Sequence, residues 1–398
     1  MTTVNRKLAL LGGGSAFSEP LHVGRPNIGD RTRLLSRIND MLDRRWLTNN
    51  GYYVQELEQR LQDMLGVKHC IAICNATVGL EIAIRALGMK GEVIVPSFTF
   101  IATAHALQWQ EITPVFCDID PTTHTIDPER IEQLITPRTT GIIGVHLWGR
   151  PCIISALTEI AQRRKLKLLF DAAHAFACTD NGTYIGNFGD AEVFSFHATK
   201  FFNAFEGGAI TTNDSALAAR IRLMKNFGFS GYDNVIHVGT NGKMSEPSAA
   251  MALTSLESLD SFISTNRENY KVYLEAFSNI SGIKLVRYIE TEKINYQYIV
   301  AEVDEAVAGL TRDELIKVLH AENVMARRYF YPGCHRMEPY RSYFPHAHLM
   351  LPQTESVSKR VLVLPTGSAV SLVDIATIGN IIRTALLNAA EVRACTLT

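Results

Sequence analysis

The stretch Ala191-Glu-Val-Phe-Ser-Phe-His-Ala-Thr-Lys-Phe-Phe-Asn-Ala-Phe-Glu-Gly-Gly-Ala-Ile210 decides how the chain is read. Its first six residues form a short apolar, β-branched and aromatic run that predicts a strand over Ala191–Phe196. That strand delivers one lysine, Lys200, into a segment of apolar and small residues. Lysine is seldom buried unless paired. A desolvated lysine loses charge stability, its pKa falls, and its amine becomes a nucleophile suited to a carbonyl partner. Two glycines, Gly207 and Gly208, then let the chain double back closely. Taken alone, the same residues also describe a surface lysine beside a turn, so the rest of the chain has to decide.

Working outward, short apolar runs alternate with helical ones from His69 onward. Strands are expected at Cys70–Ile73, Glu92–Val95, Pro114–Asp118, Thr140–Val145, Leu166–Asp171, Ala191–Phe196 and Ala209–Thr212. Helices are expected at Thr77–Ala86, Thr103–Trp109, Asp127–Leu134, Ile154–Arg163 and Ser215–Met224. This alternation predicts an α/β fold with a mainly parallel sheet covered on both faces. One long helix, Glu246 to Asn266, marks a boundary near residues 240–260. Beyond it, strands at Lys284–Val286, Tyr296–Val303 and Val324–Ala326 and helices at Arg312–Ala321 and Val373–Leu387 suggest a smaller α+β unit. The expected division is an arm over residues 1–50, a large α/β domain over 51–255 and a small domain over 256–398. In the arm, Gly12-Gly13-Gly14-Ser15 reads as a flexible break, and residues 31–46 have helical spacing.

The bulk composition excludes several classes. The 398 residues include 46% hydrophobic and 20% charged, with a formal net charge of −1. No basic footprint points to nucleic acid or an anionic membrane. The apolar run Leu8–Leu11 is too short for a signal segment or a membrane span. Seven scattered cysteines, with no C-x-x-C pair, fit free thiols in a reducing cytoplasm. No metal site is expected.

In open α/β sheets, ligands bind at the carboxyl ends of the strands. After the first strand comes Asn75-Ala76-Thr77, opening a helix, a place suited to a phosphate but, taken alone, better read as a plain cap. After the second comes Pro96-Ser-Phe-Thr-Phe100, with an aromatic able to stack on a flat ring. After the fifth comes Asp171-Ala-Ala-His174, a carboxylate that would hold a pyridine nitrogen protonated. After the sixth come Ser195 and Lys200. Phosphate cradle, aromatic, carboxylate and lysine follow one another on successive strand ends. Together they describe a site for pyridoxal 5'-phosphate (PLP).

The motifs C-N-A-T-x-G-L, V-P-S-F-T-F-x-A-T, D-A-A-H-A, S-F-H-A-T-K, F-E-G-G-A and G-T-N-G-K-M-S-E carry a resemblance. Over nearly the whole chain, the sequence resembles the DegT/DnrJ/EryC1/StrS nucleotide-sugar aminotransferases, within fold type I of PLP enzymes. G-V-H-L-W-G-R-P-C (144–152) and Y-P-G-C-H-x-x-E-P-Y (331–340) resemble the subgroup that aminates C4 of dTDP-4-keto-6-deoxyglucose. The resemblance implies that Lys200 joins the cofactor covalently and moves the proton, and that Asp171 pairs with the pyridine nitrogen. It implies that Phe100 stacks on the ring and His174 contacts the ring oxygen. Ala76, Thr77 and Ser195 would hold the phosphate, and Asn241 would reach the phosphate of a neighbouring subunit, making a homodimer with shared sites. L-Glutamate would be the amino donor and a dTDP-keto-sugar the acceptor. Arg327, Arg328, Tyr329 and Tyr331 are the candidate substrate contacts, with bidentate guanidinium groups suited to a diphosphate. At most one of the two adjacent arginines is expected to point inward from a strand. Tyr52 stands where relatives often carry Pro. Rival readings are amination at C3 or of another nucleotide sugar, a PLP-dependent sugar dehydratase, which Lys200 opposes, and a non-catalytic PLP-binding regulator. A nicotinamide dehydrogenase is disfavoured because no G-x-G-x-x-G follows a strand.

Overall fold

The computed structural model describes residues 7–396. Residues 1–6, the start of the expected arm, lie outside the described residues, as do 397 and 398. The centre of the fold is a seven-stranded sheet. Across it the strands run in the order His69–Ile73, Gly208–Thr212, Ala191–Ser195, Lys167–Asp171, Thr139–Val145, Glu92–Pro96 and Thr113–Cys117. Every neighbouring pair is parallel except those made by Gly208–Thr212, which runs antiparallel to both its neighbours. The mainly parallel sheet read from the sequence is therefore what forms. Its strands are almost wholly buried because helices cover both faces. On one face, Leu57, Leu61, Ile94, Ile142, Phe170 and Phe194 pack with the helices Tyr52–Leu65 and Glu246–Glu257. On the other, Ile71, Val93, Ile143, Leu169 and Val193 pack against Ala76–Ala86 and its neighbours.

A second layer is built on a three-stranded antiparallel sheet, Ile283–Leu285, Ile299–Val303 and Val361–Leu364, backed by Arg312–Ala321 and Leu372–Leu387. The early segment contributes to both parts. Leu8 and Leu21 are buried in this second core, and Leu21–His22 pairs in parallel with Val324–Met325. Leu34 and Met41 of the helix Arg31–Arg44 belong to the core of the large sheet.

The helix expected over Glu246–Asn266 is two helices, Glu246–Glu257 and Leu259–Phe277. Ser258 lies between them with φ −104 and ψ 5, so the helical hydrogen-bond series stops and restarts there. No Gly or Pro marks the break, which is why apolar spacing alone reads straight through it. The terminal helix is likewise followed by a second one, Ala389–Thr396.

The turn after Lys200 uses its glycines for space. Phe205, not a glycine, takes the left-handed backbone, at φ 60. Gly208 sits where a Cβ would lie 2.5 Å from the Phe194 carbonyl oxygen and 3.2 Å from the Ala76 nitrogen. The antiparallel strand can approach the start of the helix Ala76–Ala86 only because that position has no side chain. Gly208→Ala is expected to cost about 1–3 kcal/mol and to lower the thermal midpoint in a calorimetric scan. An unchanged midpoint would contradict this account of the turn.

Candidate active site

The carboxyl ends of adjacent parallel strands bring the main groups together. Asp171 is the last residue of the strand Lys167–Asp171, and its neighbour Ala191–Ser195 leads through a short turn to Lys200. Asp171 is 5% exposed. Its Oδ2 accepts from Thr103 Oγ1 at 2.8 Å and its Oδ1 from the Ala173 backbone N–H at 3.1 Å. Burial pushes its carboxyl above the ordinary range, while these two donors and the charge of Lys200 pull the other way. Burial brings the Lys200 ammonium down to about 8, and Asp171 partly opposes the shift. Lys200 Nζ lies 3.2 Å from the hydroxyl of Tyr298.

His174 is buried, and desolvation with the nearby Lys200 charge holds it well below the usual histidine range, so its ring is neutral. The Trp148 backbone N–H points at its Nδ1, at 3.4 Å. That leaves Nε2 as the protonated nitrogen, assigned from the hydrogen-bond network. The ring lies in an aromatic stack, with Trp148 and Phe330 centroids each 5.9 Å away and Tyr298 at 4.4 Å.

Ala76 and Thr77 begin the helix Ala76–Ala86, where the first backbone N–H groups have no partner inside the helix. Asn75 is its N-cap and accepts from Val78 N at 2.9 Å. Ser195 ends its strand beside Gly208. Phe100 precedes the helix Ile101–Gln108 and is exposed, its ring centroid 6.4 Å from that of Phe330. Asn241 is exposed and bridges to Asn226 through the backbone.

The expected substrate residues line a groove of about 830 Å³ that Phe100 also borders, with Lys317 and His320 on its wall. The strand here is only Val324–Met325, so no alternation governs the two arginines. Both are exposed. Arg327 lies over the Tyr329 ring at 5.2 Å, and Arg328 over Tyr331 at 4.9 Å. Arg328 also pairs with Asp313 at 3.3 Å. Tyr52 is exposed under the Arg44 guanidinium, 4.5 Å from its ring centroid.

Thr103, Trp148, Tyr298 and Phe330 are neighbours of the site that residue-by-residue reading did not assign. Thr103 and Trp148 stand inside motifs quoted above, at spacings that could have flagged them. Nothing in Asn295-Tyr-Gln-Tyr298 separates Tyr298 from Tyr296. Among the described residues, no group of three His, Cys, Asp or Glu side chains could hold a metal ion. If burial sets the Lys200 amine, pulse acylation of cofactor-free protein, read by peptide mass mapping, will show Lys200 reacting with a midpoint near pH 8. A midpoint near that of surface lysines would contradict the site as described.

The sequence profile of the DegT/DnrJ/EryC1/StrS aminotransferase family matches residues 30–383. Among curated relatives, the chain is 40% identical to a dTDP-4-amino-4,6-dideoxy-D-glucose transaminase of Shigella dysenteriae, over 79% of this chain and 86% of the relative. It is 35% identical to a transaminase of the same name from Escherichia coli, over 86% and 92%. Among solved structures, DesI crystallised with its TDP-sugar product superposes with a TM-score of 0.94 at 48% identity, covering 98% of this chain and 99% of that one. The profile match over most of the chain and these identities place it plainly: the chain belongs to the DegT/DnrJ/EryC1/StrS aminotransferase family.

Proposed function

We propose that this protein transfers the amino group of L-glutamate to C4 of dTDP-4-keto-6-deoxy-D-glucose. The products would be dTDP-4-amino-4,6-dideoxy-D-glucose and 2-oxoglutarate, with PLP as cofactor. The observation that carries the reading is the desolvated amine of half-buried Lys200 under the influence of the buried Asp171 carboxylate, at and beyond the ends of adjacent strands. The relatives' names supply the sugar and the nucleotide.

The residues present fit PLP. Gly208, with no side chain, lets the end of the strand Ala191–Ser195 and the start of the helix Ala76–Ala86 lie close together. There Ala76, Thr77 and Ser195 would hold the phosphate through N–H groups and hydroxyls. Asp171, with two donors fixing its oxygens, would pair with the pyridine nitrogen. His174 would give its Nε2 proton to the ring oxygen, and Phe100 would stack on the ring. When bound, PLP supplies a carbonyl carbon for the lysine amine and a ring that takes up electron density from the substrate.

The chain's own part is proton management and orientation. A lysine near pKa 8 is neutral in a useful fraction at neutral pH, so Lys200 can take the proton from the Cα of glutamate and return it elsewhere. The Tyr298 hydroxyl, 3.2 Å away, accepts from Nζ while it is charged and donates to it when it is neutral. The same sequence in reverse adds nitrogen at the ketone of the sugar. Arg327 and Arg328 would hold the diphosphate, with Tyr329 and Tyr331 beside them.

We also infer a homodimer in which Asn241 reaches the partner's phosphate site. Supporting it are exposed apolar side chains at Leu35, Leu42, Trp46 and Leu47, and again at Phe227, Phe229, Tyr232, Val235 and Ile236. We place the enzyme in the cytoplasm. The buried cysteines Cys70, Cys117, Cys152, Cys178 and Cys334 are free thiols, and no single helix among the described residues is long and apolar enough to cross a membrane. Lys200→Ala should abolish both the near-visible absorbance of PLP-loaded protein and the conversion of glutamate to 2-oxoglutarate. Retention of both would sink the assignment.

A further inference from the structure

Two motif residues have no role so far: Ser97 in Val95-Pro-Ser-Phe-Thr-Phe100, and His335 in Tyr331-Pro-Gly-Cys-His335. The fold joins them. Ser97 Oγ lies 2.7 Å from His335 Nδ1 and accepts the His335 backbone N–H at 3.1 Å. The other ring nitrogen, Nε2, lies 2.7 Å from Glu355 Oε1, which also accepts from Arg336 Nε at 2.6 Å. Cys334 donates its backbone N–H to the Ser97 carbonyl at 2.9 Å and its thiol to the Thr99 carbonyl at 3.4 Å.

A serine, a histidine and a carboxylate in a row have the composition of a hydrolytic triad but not its access. A nucleophile must meet its substrate, and Ser97 is 0% and His335 2% exposed. The row is better explained as a tie. Ser97 Oγ already accepts a backbone N–H, so its own proton goes to Nδ1, and Nε2–H goes to Glu355.

Glu355 is itself fixed. Its helix, Pro352–Arg360, starts on Asp118, whose carboxylate accepts Gln353 N at 2.9 Å and both Thr354 N and Oγ1 at 2.8 Å. Asp118 follows the strand Thr113–Cys117, and Ser97 follows its neighbour Glu92–Pro96. Segment 327–337 is thus bolted to the ends of two adjacent strands. It carries Arg327, Arg328, Tyr329 and Tyr331 of the groove, and Phe330, whose ring stacks on Trp148 at 5.4 Å.

We propose that His335 is a positioning residue that clamps segment 327–337 to the strand end at Ser97, so that the sugar-nucleotide groove is preformed. This rests on the nucleotide-sugar reading above and adds to it the element that shapes the groove. Preformed geometry raises affinity by removing the cost of ordering a loop on binding. The clamp requires a neutral ring. Protonation would leave the Ser97 hydroxyl proton without its acceptor in a buried place. The charged and titratable groups that face the ring are Glu355 from its helix, the adjacent Arg336, and His348 from the turn Ala347–Met350. Burial favours the neutral form and Glu355 opposes it.

The test compares Ser97→Ala, His335→Ala and His335→Gln with wild type, using dTDP itself as the probe. By calorimetry, the dTDP Kd should rise about tenfold in both alanine variants, about 1.4 kcal/mol. His335→Gln, which keeps one acceptor and one donor, should recover most of the affinity. The glutamate half-reaction should stay within about twofold in single-turnover measurements. Hydrogen exchange over 327–337 should accelerate in Ser97→Ala by more than it does over the strands Glu92–Pro96 and Thr113–Cys117, so that the loosening is local and exceeds any loss of global stability. As pH falls, wild type should lose its advantage over His335→Ala. Unchanged dTDP binding in both alanine variants overturns the clamp, as does an equal loss in the two half-reactions. If wild type lacks the glutamate half-reaction, the proposed function fails. Exchange over 327–337 still judges the clamp in that case, and unchanged exchange would also overturn it.

Discussion

Desolvating an amine and a carboxylate within each other's electrostatic reach, at and beyond the ends of two adjacent parallel strands, is the constraint on which the rest of this structure depends. Neither Lys200 nor Asp171 would be stable in an apolar site alone, because burial penalises each charge. The fold meets this with partners. Thr103 and the Ala173 N–H hold the carboxylate, and Tyr298 meets the amine. Those partners come from a helix beside the sheet, from the turn after the strand, and from the smaller sheet's lead-in to Ile299–Val303. The Lys200 amine is therefore also a point where the two layers of the molecule meet.

The parallel architecture is what makes this economical in sequence. The parallel strands all end on one edge, so Asn75, Phe100, Asp171 and Lys200, spread over more than a hundred residues, follow strand ends on the same side of the sheet without any long-range signal in the chain. That is why candidate site residues can be picked out from the sequence. A carboxylate or lysine directly after an apolar run marks itself, and the small residues around it show where a ligand can approach.

What was not legible shares a physical character. Tyr298 acts by reaching across from the second layer, and nothing local distinguishes it from Tyr296. The break at Ser258 follows from backbone geometry in a stretch whose apolar spacing stays helical throughout. At most one of Arg327 and Arg328 is expected from the sequence to point inward from a strand; the strand here is only Val324–Met325, and both arginines rest on tyrosine rings at a groove. His335 looked like motif decoration until Ser97 and Glu355, more than two hundred residues apart, proved to flank it. Local pattern encodes elements and the residues that end them. Contacts between layers are encoded only in the assembled fold.

The central claim is that this site moves nitrogen from glutamate to C4 of a dTDP-4-keto-6-deoxy sugar. The most direct measurement incubates PLP-loaded protein with ¹⁵N-labelled L-glutamate and dTDP-4-keto-6-deoxy-D-glucose, then locates the label by NMR. The account predicts ¹⁵N bonded to C4 of the dTDP sugar, with one 2-oxoglutarate formed for each amino sugar. Label at C3, or 2-oxoglutarate formed with no labelled sugar, would contradict it.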